Sequence, residues 1–165
     1  MLQYLIQHTI DFFQEIKNTL PPIFIVAIVG GIIQLTKVVI DSVSQKHFSL
    51  DQVFSSGGFP SFHTGVASSV TILALLHDGI FSTTFAIAAT FSLLFAYDAM
   101  NVRFQTGKHA EYLNDIRKEL KETFSMKGGK KTKLNERLGH TPIEVLGGLL
   151  FGMLLTFVLY YIVYV

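Results

Sequence analysis

Four apolar runs set the pattern of this chain: Ile23 to Ile40, Pro60 to about Leu76, Ile80 to about Ala96, and Ile143 to Val165. Each is close to the ~20 residues that cross the hydrocarbon core of a bilayer. The last is the clearest, because no charge follows Glu144. In lipid every backbone N–H and C=O must be paired within the protein, and at this apolarity that means helices rather than strands. The pattern therefore predicts an all-α, integral membrane bundle of four transmembrane helices, in one membrane-embedded domain over residues 1–165. Residues 1–20 place Leu2, Leu5, Ile6, Phe12, Phe13, Ile16 and Leu20 at helical spacing among polar residues, which predicts an amphipathic helix lying in the membrane interface or packed on the bundle. It lacks the basic start and the small-residue cleavage site of a signal peptide, and Pro21-Pro22 ends it. A second amphipathic helix, from about Lys108 to Phe124, follows from Leu113, Ile116, Leu120 and Phe124. It lies in the polar stretch 104–137, between the third and fourth spans.

Composition agrees with a membrane protein: half of the 165 residues are hydrophobic, 15% are charged and mean hydropathy is +0.45. The absence of cysteine excludes disulfides, thiolate catalysis and cysteine metal sites. A net charge of +1 gives no general affinity for nucleic acid. The distribution of charge is more informative. Ten of the 13 Lys and Arg residues fall between residues 100 and 142, against five acids, so the positive-inside rule puts the 104–137 stretch in the cytoplasm. Threading the spans outward makes the 41–59 connection cytoplasmic as well. Lys37, the Pro60–His63 stretch, Asp98, Arg103 and His140 then meet at one membrane face.

Two of those positions open helices. Thr141, Pro142 and Glu144 read as an N-cap, a proline at the first helical position and a capping-box partner, with His140 just before them. Pro60-Ser61-Phe62-His63-Thr64 likewise sets a proline, a hydroxyl and a histidine at a helix start. Unsatisfied N–H groups and the helix dipole make such mouths fit to receive a phosphate. Lys37 shares a helix face with Gln34; a lysine snorkelling to the interface is the alternative to a functional one. Asp98 needs a partner, which Arg103 can supply. Gly128-Gly129 among lysines reads as a turn, since the pattern is too short for a nucleotide loop. No group of His and carboxylates shows metal-ligand spacing, so neither a metal nor another cofactor is expected.

The pieces Gly57-Gly-Phe-Pro-Ser-Phe-His63, Tyr97-Asp-Ala-Met-Asn-Val-Arg103 and Gly139-His-Thr-Pro-Ile-Glu-Val145 resemble the divergent branch of the type 2 phosphatidic acid phosphatase and vanadium-dependent haloperoxidase superfamily (the divergent PAP2 family). The resemblance covers most of the chain from the first span onward. It implies a membrane phosphatase in which His140 attacks phosphorus, Glu144 takes the place of the family's aspartate and orients the imidazole, and His63 is the general acid and then the base. It further implies that Lys37, Ser61 and Arg103 bind the phosphate oxygens, with Asp98 in support. The chain departs from the family at Ser44-Gln45, where Arg-Pro is expected, at Phe62, where a glycine is expected and a ring would crowd the site, and at Leu134, where an arginine is expected. Arg103 or Arg137 would fill that last role.

The activity so implied is metal-independent hydrolysis of a lipid phosphate or an isoprenyl or lipid pyrophosphate through a phosphohistidine, at the cytoplasmic face of the cell membrane. A noncatalytic lipid-head-group binder or scaffold that keeps the fold is the alternative. The partners expected are the lipid substrate and the bilayer, with homo-oligomerisation left open. A single carboxylate is not expected both to close the Thr141 capping box and to hold His140, so Glu144 should turn to the imidazole and leave Thr141 to cap alone.

Overall fold

The structure is a computed structural model that describes residues 21–46, 57–124, 133–136 and 138–165, with residues 1, 3 and 6–8 of the N-terminal stretch (for 45 and 121–124 the backbone only). Most of the expected N-terminal helix, the middle of the 41–59 connection, the lysine-rich 125–132 stretch and Arg137 lie outside the described residues. Among the described residues all regular structure is helical: α1 (Ile23–Gln45), α2 (Phe62–Asp78), α3 (Thr83–Met100), α4 (Val102–Phe124) and α5 (Pro142–Tyr164).

Among the described residues three stretches are long and apolar enough to cross a membrane: Ile23–Ser44, Thr83–Leu120, which runs α3 into α4, and Pro142–Tyr164. The 17-residue α2 is shorter, and it carries four of the buried polar residues, Thr64, Ser68, Ser69 and Thr71. This helix is the centre of the bundle and packs on α5, α3 and α1. Where α2 meets α5 the two backbones touch. A Cβ on Gly148 would fall on the Ser61 carbonyl and the Thr64 hydroxyl, and one on Gly152 would fall on the Gly65 carbonyl and Ser68 Oγ. Small residues at such a crossing let main chains approach in place of side chains, which is how helices associate where lipid removes the hydrophobic drive. Hydroxyls then bind across the seam: Thr64 Oγ1 donates to the Val145 carbonyl at 3.2 Å, and Thr156 Oγ1 donates to Ser69 Oγ at 2.7 Å. Ile25, Val29, Ile33 and Leu73 make the apolar core beside it.

Two helix boundaries differ from the sequence expectation. The first apolar run ends at Ile40, yet α1 continues to Gln45, because Asp41 stands one turn after Lys37 and extends its face instead of opening a loop. The polar-region helix starts at Val102 rather than Lys108. Gly107 lies within α4, and a Cβ there would meet the Glu136 and Leu138 carbonyls at 2.9 and 2.7 Å. The chain returning to α5 therefore crosses α4 at its glycine. Asn114 of α4 holds that returning strand of chain by bonding the Leu134 main chain and the Glu136 carboxylate. Leu113, Ile116 and Leu120 on α4 remain exposed.

Candidate functional site

The N-termini of α2 and α5 are tied together by one main-chain bond: the Ser61 N–H donates to the Glu144 carbonyl at 3.0 Å. This puts Ser61, the residue before α2, beside the first turn of α5. The Phe59–Pro60 peptide is cis in the turn leading to it. Ser61 is fully buried, and its Oγ has no partner among the described residues.

His140 enters the same space from the other side. Its N–H donates to the Ala99 carbonyl at the end of α3, at 3.0 Å. Gly139 before it has φ +83°, and a Cβ there would run into the main chain of Arg103 and Phe104. Only glycine reaches this conformation without strain and with the backbone so close. The α3–α4 link and the α5 mouth are locked to each other by these two residues. The His140 ring is 3% exposed. Its Nδ1 lies 3.3 Å from Glu144 Oε2, and its Nε2 is buried without a partner among the described residues. A carboxylate only accepts, so the proton of a neutral ring sits on Nδ1 and the lone pair of Nε2 is left open.

The expectation that Glu144 must choose between its two tasks is overturned. The same Oε2 accepts from Thr141 N–H at 2.8 Å and lies against His140 Nδ1. One carboxylate oxygen has two lone pairs, and a histidine immediately before the cap residue presents Nδ1 on the side where the cap N–H already points. The capping box itself orients the imidazole.

Burial pushes the His140 imidazole below its ordinary value of about 6.5, Glu144 opposes this, and the charges of Lys37 and Arg103 add to the burial. The fold thus favours the neutral ring. Because the folded value is the lower one, protonation favours the unfolded chain: this stability is full above about pH 6.5 and is lost as pH falls toward the folded value. In detergent, thermal unfolding of the wild type should drop between about pH 7 and about pH 5 by more than that of His140→Gln, which cannot titrate there. Equal drops would show that His140 is not held neutral by the fold.

His63, in the first turn of α2, faces His140 with ring centroids 6.4 Å apart. The charges acting on it are those of Arg103, His140, Lys37 and Asp98. Lys37 is 2% exposed, with Asp41 and Glu144 as the carboxylates acting on it. Arg103 Nε donates to Asp98 Oδ2 at 2.6 Å, an exposed pair at the rim. The Phe62 ring packs against Gly30 of α1, so the residue that replaces the family's glycine turns toward the bundle. Asp41 was not singled out by sequence reading. Its signal was the four-residue step from Lys37, hidden once the helix was ended at Ile40. Among the described residues no group of three His, Asp or Glu could hold a metal.

Beside His63 an apolar groove of about 540 Å³ runs between α2 and α3, lined by Val66, Val70, Ile87, Phe91 and Phe95. It reaches from the histidine to Thr83 and Thr84 at the start of α3.

A helical membrane protein with two histidines and two cations at one end of the bundle is the class this arrangement defines. The chain belongs to the Divergent PAP2 family, whose pattern it matches over residues 19–155. It is 35% identical over 136 residues to the Uncharacterized membrane protein YuiD of Bacillus subtilis (strain 168), covering 78% of this chain and 86% of that protein. No solved structure matches it.

Proposed function

We propose that the chain is a membrane phosphatase that hydrolyses a lipid phosphate or pyrophosphate through a phosphohistidine. The observation that carries this reading is the buried His140, its Nδ1 against Glu144 and its Nε2 open, between the joined mouths of α2 and α5. The Nε2 lone pair forms the N–P bond while the bond from phosphorus to the leaving oxygen breaks, and His63 gives that oxygen its proton. Water then attacks phosphorus, His63 takes its proton, and the N–P bond breaks to free phosphate. Ser61, Lys37 and Arg103 bind the remaining oxygens, where charge must be met in the transition state. Asp98 steadies Arg103. No step uses a metal or cofactor.

The apolar groove beside His63 suits the substrate's hydrocarbon tail, since it opens next to the proton donor and stays between helices. In this reading residues 1–165 are one domain and α2 completes a fourth span. Its 17 residues rise about 26 Å, and its hydroxyl-bearing Thr64, Ser68, Ser69 and Thr71 are buried. The α4 helix carries the surface-lying amphipathic segment of the 104–137 insertion. A noncatalytic head-group binder is the second reading; it is favoured by Ser44-Gln45, which stand where the superfamily's first signature has Arg-Pro.

The deciding experiment measures phosphate release from a panel of lipid phosphates and pyrophosphates by the purified chain and by His63→Ala. Removal of the general acid should cost about 10²- to 10⁴-fold in kcat. A wild type that releases nothing above the variant would leave the binder as the function. The site and the 104–137 insertion are proposed to face the cytoplasm. A Lys130→Cys variant should accordingly resist a membrane-impermeant thiol reagent added to intact cells and react after lysis; labelling from outside would reverse the orientation.

A further inference from the structure

Both cations of the pocket come already matched to acids. Arg103 Nε donates to Asp98 at 2.6 Å. Lys37 shares its helix face with Asp41 one turn on, and the two flank a single point: a Cβ on Gly58 would lie 3.2 Å from Lys37 Cε and 3.3 and 3.4 Å from the Asp41 oxygens. Glu144 is a third carboxylate, held against His140. Asp41 and Glu144 act on Lys37, Asp98, Arg103, Lys37 and His140 act on His63, and Glu144, Lys37 and Arg103 act on His140, so the charged and titratable groups gathered at the joined helix mouths are Lys37, Asp41, His63, Asp98, Arg103, His140 and Glu144. Two cations meet three carboxylates there. Even with His63 carrying the proton it donates, the pocket has no positive charge to spare.

A dianionic phosphate entering such a pocket would set its oxygens against acceptor-only carboxylates and bring two uncompensated charges into a partly buried space. A singly charged phosphoryl group brings one, and its fourth oxygen, bearing a hydrogen or an alkyl group, can lie beside a carboxylate without repulsion. We infer that the pocket selects a phosphoryl group bearing one negative charge, with Asp41 and Asp98 as the positioning residues that set this selection by neutralising Lys37 and Arg103. This rests on the proposed phosphoryl-transfer site and deepens its substrate class. Two kinds of lipid supply that chemistry: a phosphomonoester in its protonated form, and a phosphodiester.

The test uses the full chain in detergent micelles and a pair of hydrolysis-resistant probes with the same short alkyl tail, an alkylphosphonate and its monomethyl ester. The ester carries one charge at every pH, whereas the free phosphonate carries two at about pH 9 and one at about pH 5. Histidine titration acts on both probes, so the ratio of their affinities reports the ligand's charge. At about pH 9 the ester should bind more tightly by about tenfold to a hundredfold, the upper figure being that of one unit charge at about 6 Å and an effective dielectric near 20. At about pH 5 the ratio should approach one. Asp41→Asn and Asp98→Asn should each bring the ratio at about pH 9 toward one, and either variant suffices if the other does not fold. Equal affinities at both pH values, or tighter binding of the dianion, would overturn the inference, whether or not the protein turns over substrate. Turnover by the wild type then separates the sources: phosphate released from a lipid monoester, or alcohol released from a lipid diester. If neither is released while the charge preference is present, phosphatase activity fails and the selectivity stands.

Discussion

His140→Ala should abolish lipid phosphate hydrolysis, lowering kcat by at least about a thousandfold without changing expression or the helical signal in circular dichroism. In the proposed scheme His140 is the nucleophile, the one group whose removal would delete the covalent path entirely, and losses on that scale or larger accompany such deletions in other enzymes. Glu144→Gln should cost less, since the amide still accepts from the Thr141 N–H and only the charge against Nδ1 is lost. Acid-labile phosphate should appear on the wild type after a short incubation with labelled substrate and be missing from His140→Ala. Retention of full activity by His140→Ala would remove the phosphohistidine scheme altogether.

The second large effect is structural. Gly152→Val should lower the thermal unfolding midpoint in detergent sharply, because its Cβ would fall on the Gly65 carbonyl and Ser68 Oγ at the α2–α5 crossing. Backbone cannot give way as a flexible side chain can, so the penalty should reach or exceed the ~1–3 kcal/mol usual for overpacking. Gly31→Ala is the matched control. Nothing lies within 4 Å of a Cβ at Gly31, so that change should be neutral or stabilise α1 by about 0.5–1 kcal/mol through lower chain entropy. Similar losses at both glycines would mean that the close crossing does not carry the fold.

The two helix starts at the candidate site were legible in local sequence. A Thr-Pro-x-Glu start after a histidine and a Pro-Ser-x-His start each declare a helix mouth, and both are helix starts in the structure. The double duty of Glu144 was not legible. Spacing gives the reach of a carboxylate to its cap residue and to the preceding ring separately, but sharing of one oxygen is a matter of three-dimensional direction. The boundaries of α1 and α4 were missed for a related reason. A polar residue looks like the end of an apolar run whether it enters a loop or turns to face Lys37, and a glycine does not show whether it ends a helix or, as Gly107 does, receives a crossing chain.

By itself, the sequence determined an all-helical chain with apolar stretches of membrane-crossing length, the two histidine-bearing helix mouths, and membership of a family. The helices and their mouths follow from short-range rules, the thickness of a bilayer, backbone pairing in lipid and the chemistry of caps, and the family from the order of its motifs along the chain. Only the tertiary structure decided that Ser61 N–H meets the Glu144 carbonyl, that Gly139 lies on the Arg103 main chain, and that Asp41 and Lys37 flank Gly58. Those contacts join residues far apart in the chain or on opposite sides of a turn. They depend on main-chain approach at bare glycines, and no periodicity of apolar and polar positions records which glycine a distant carbonyl will reach.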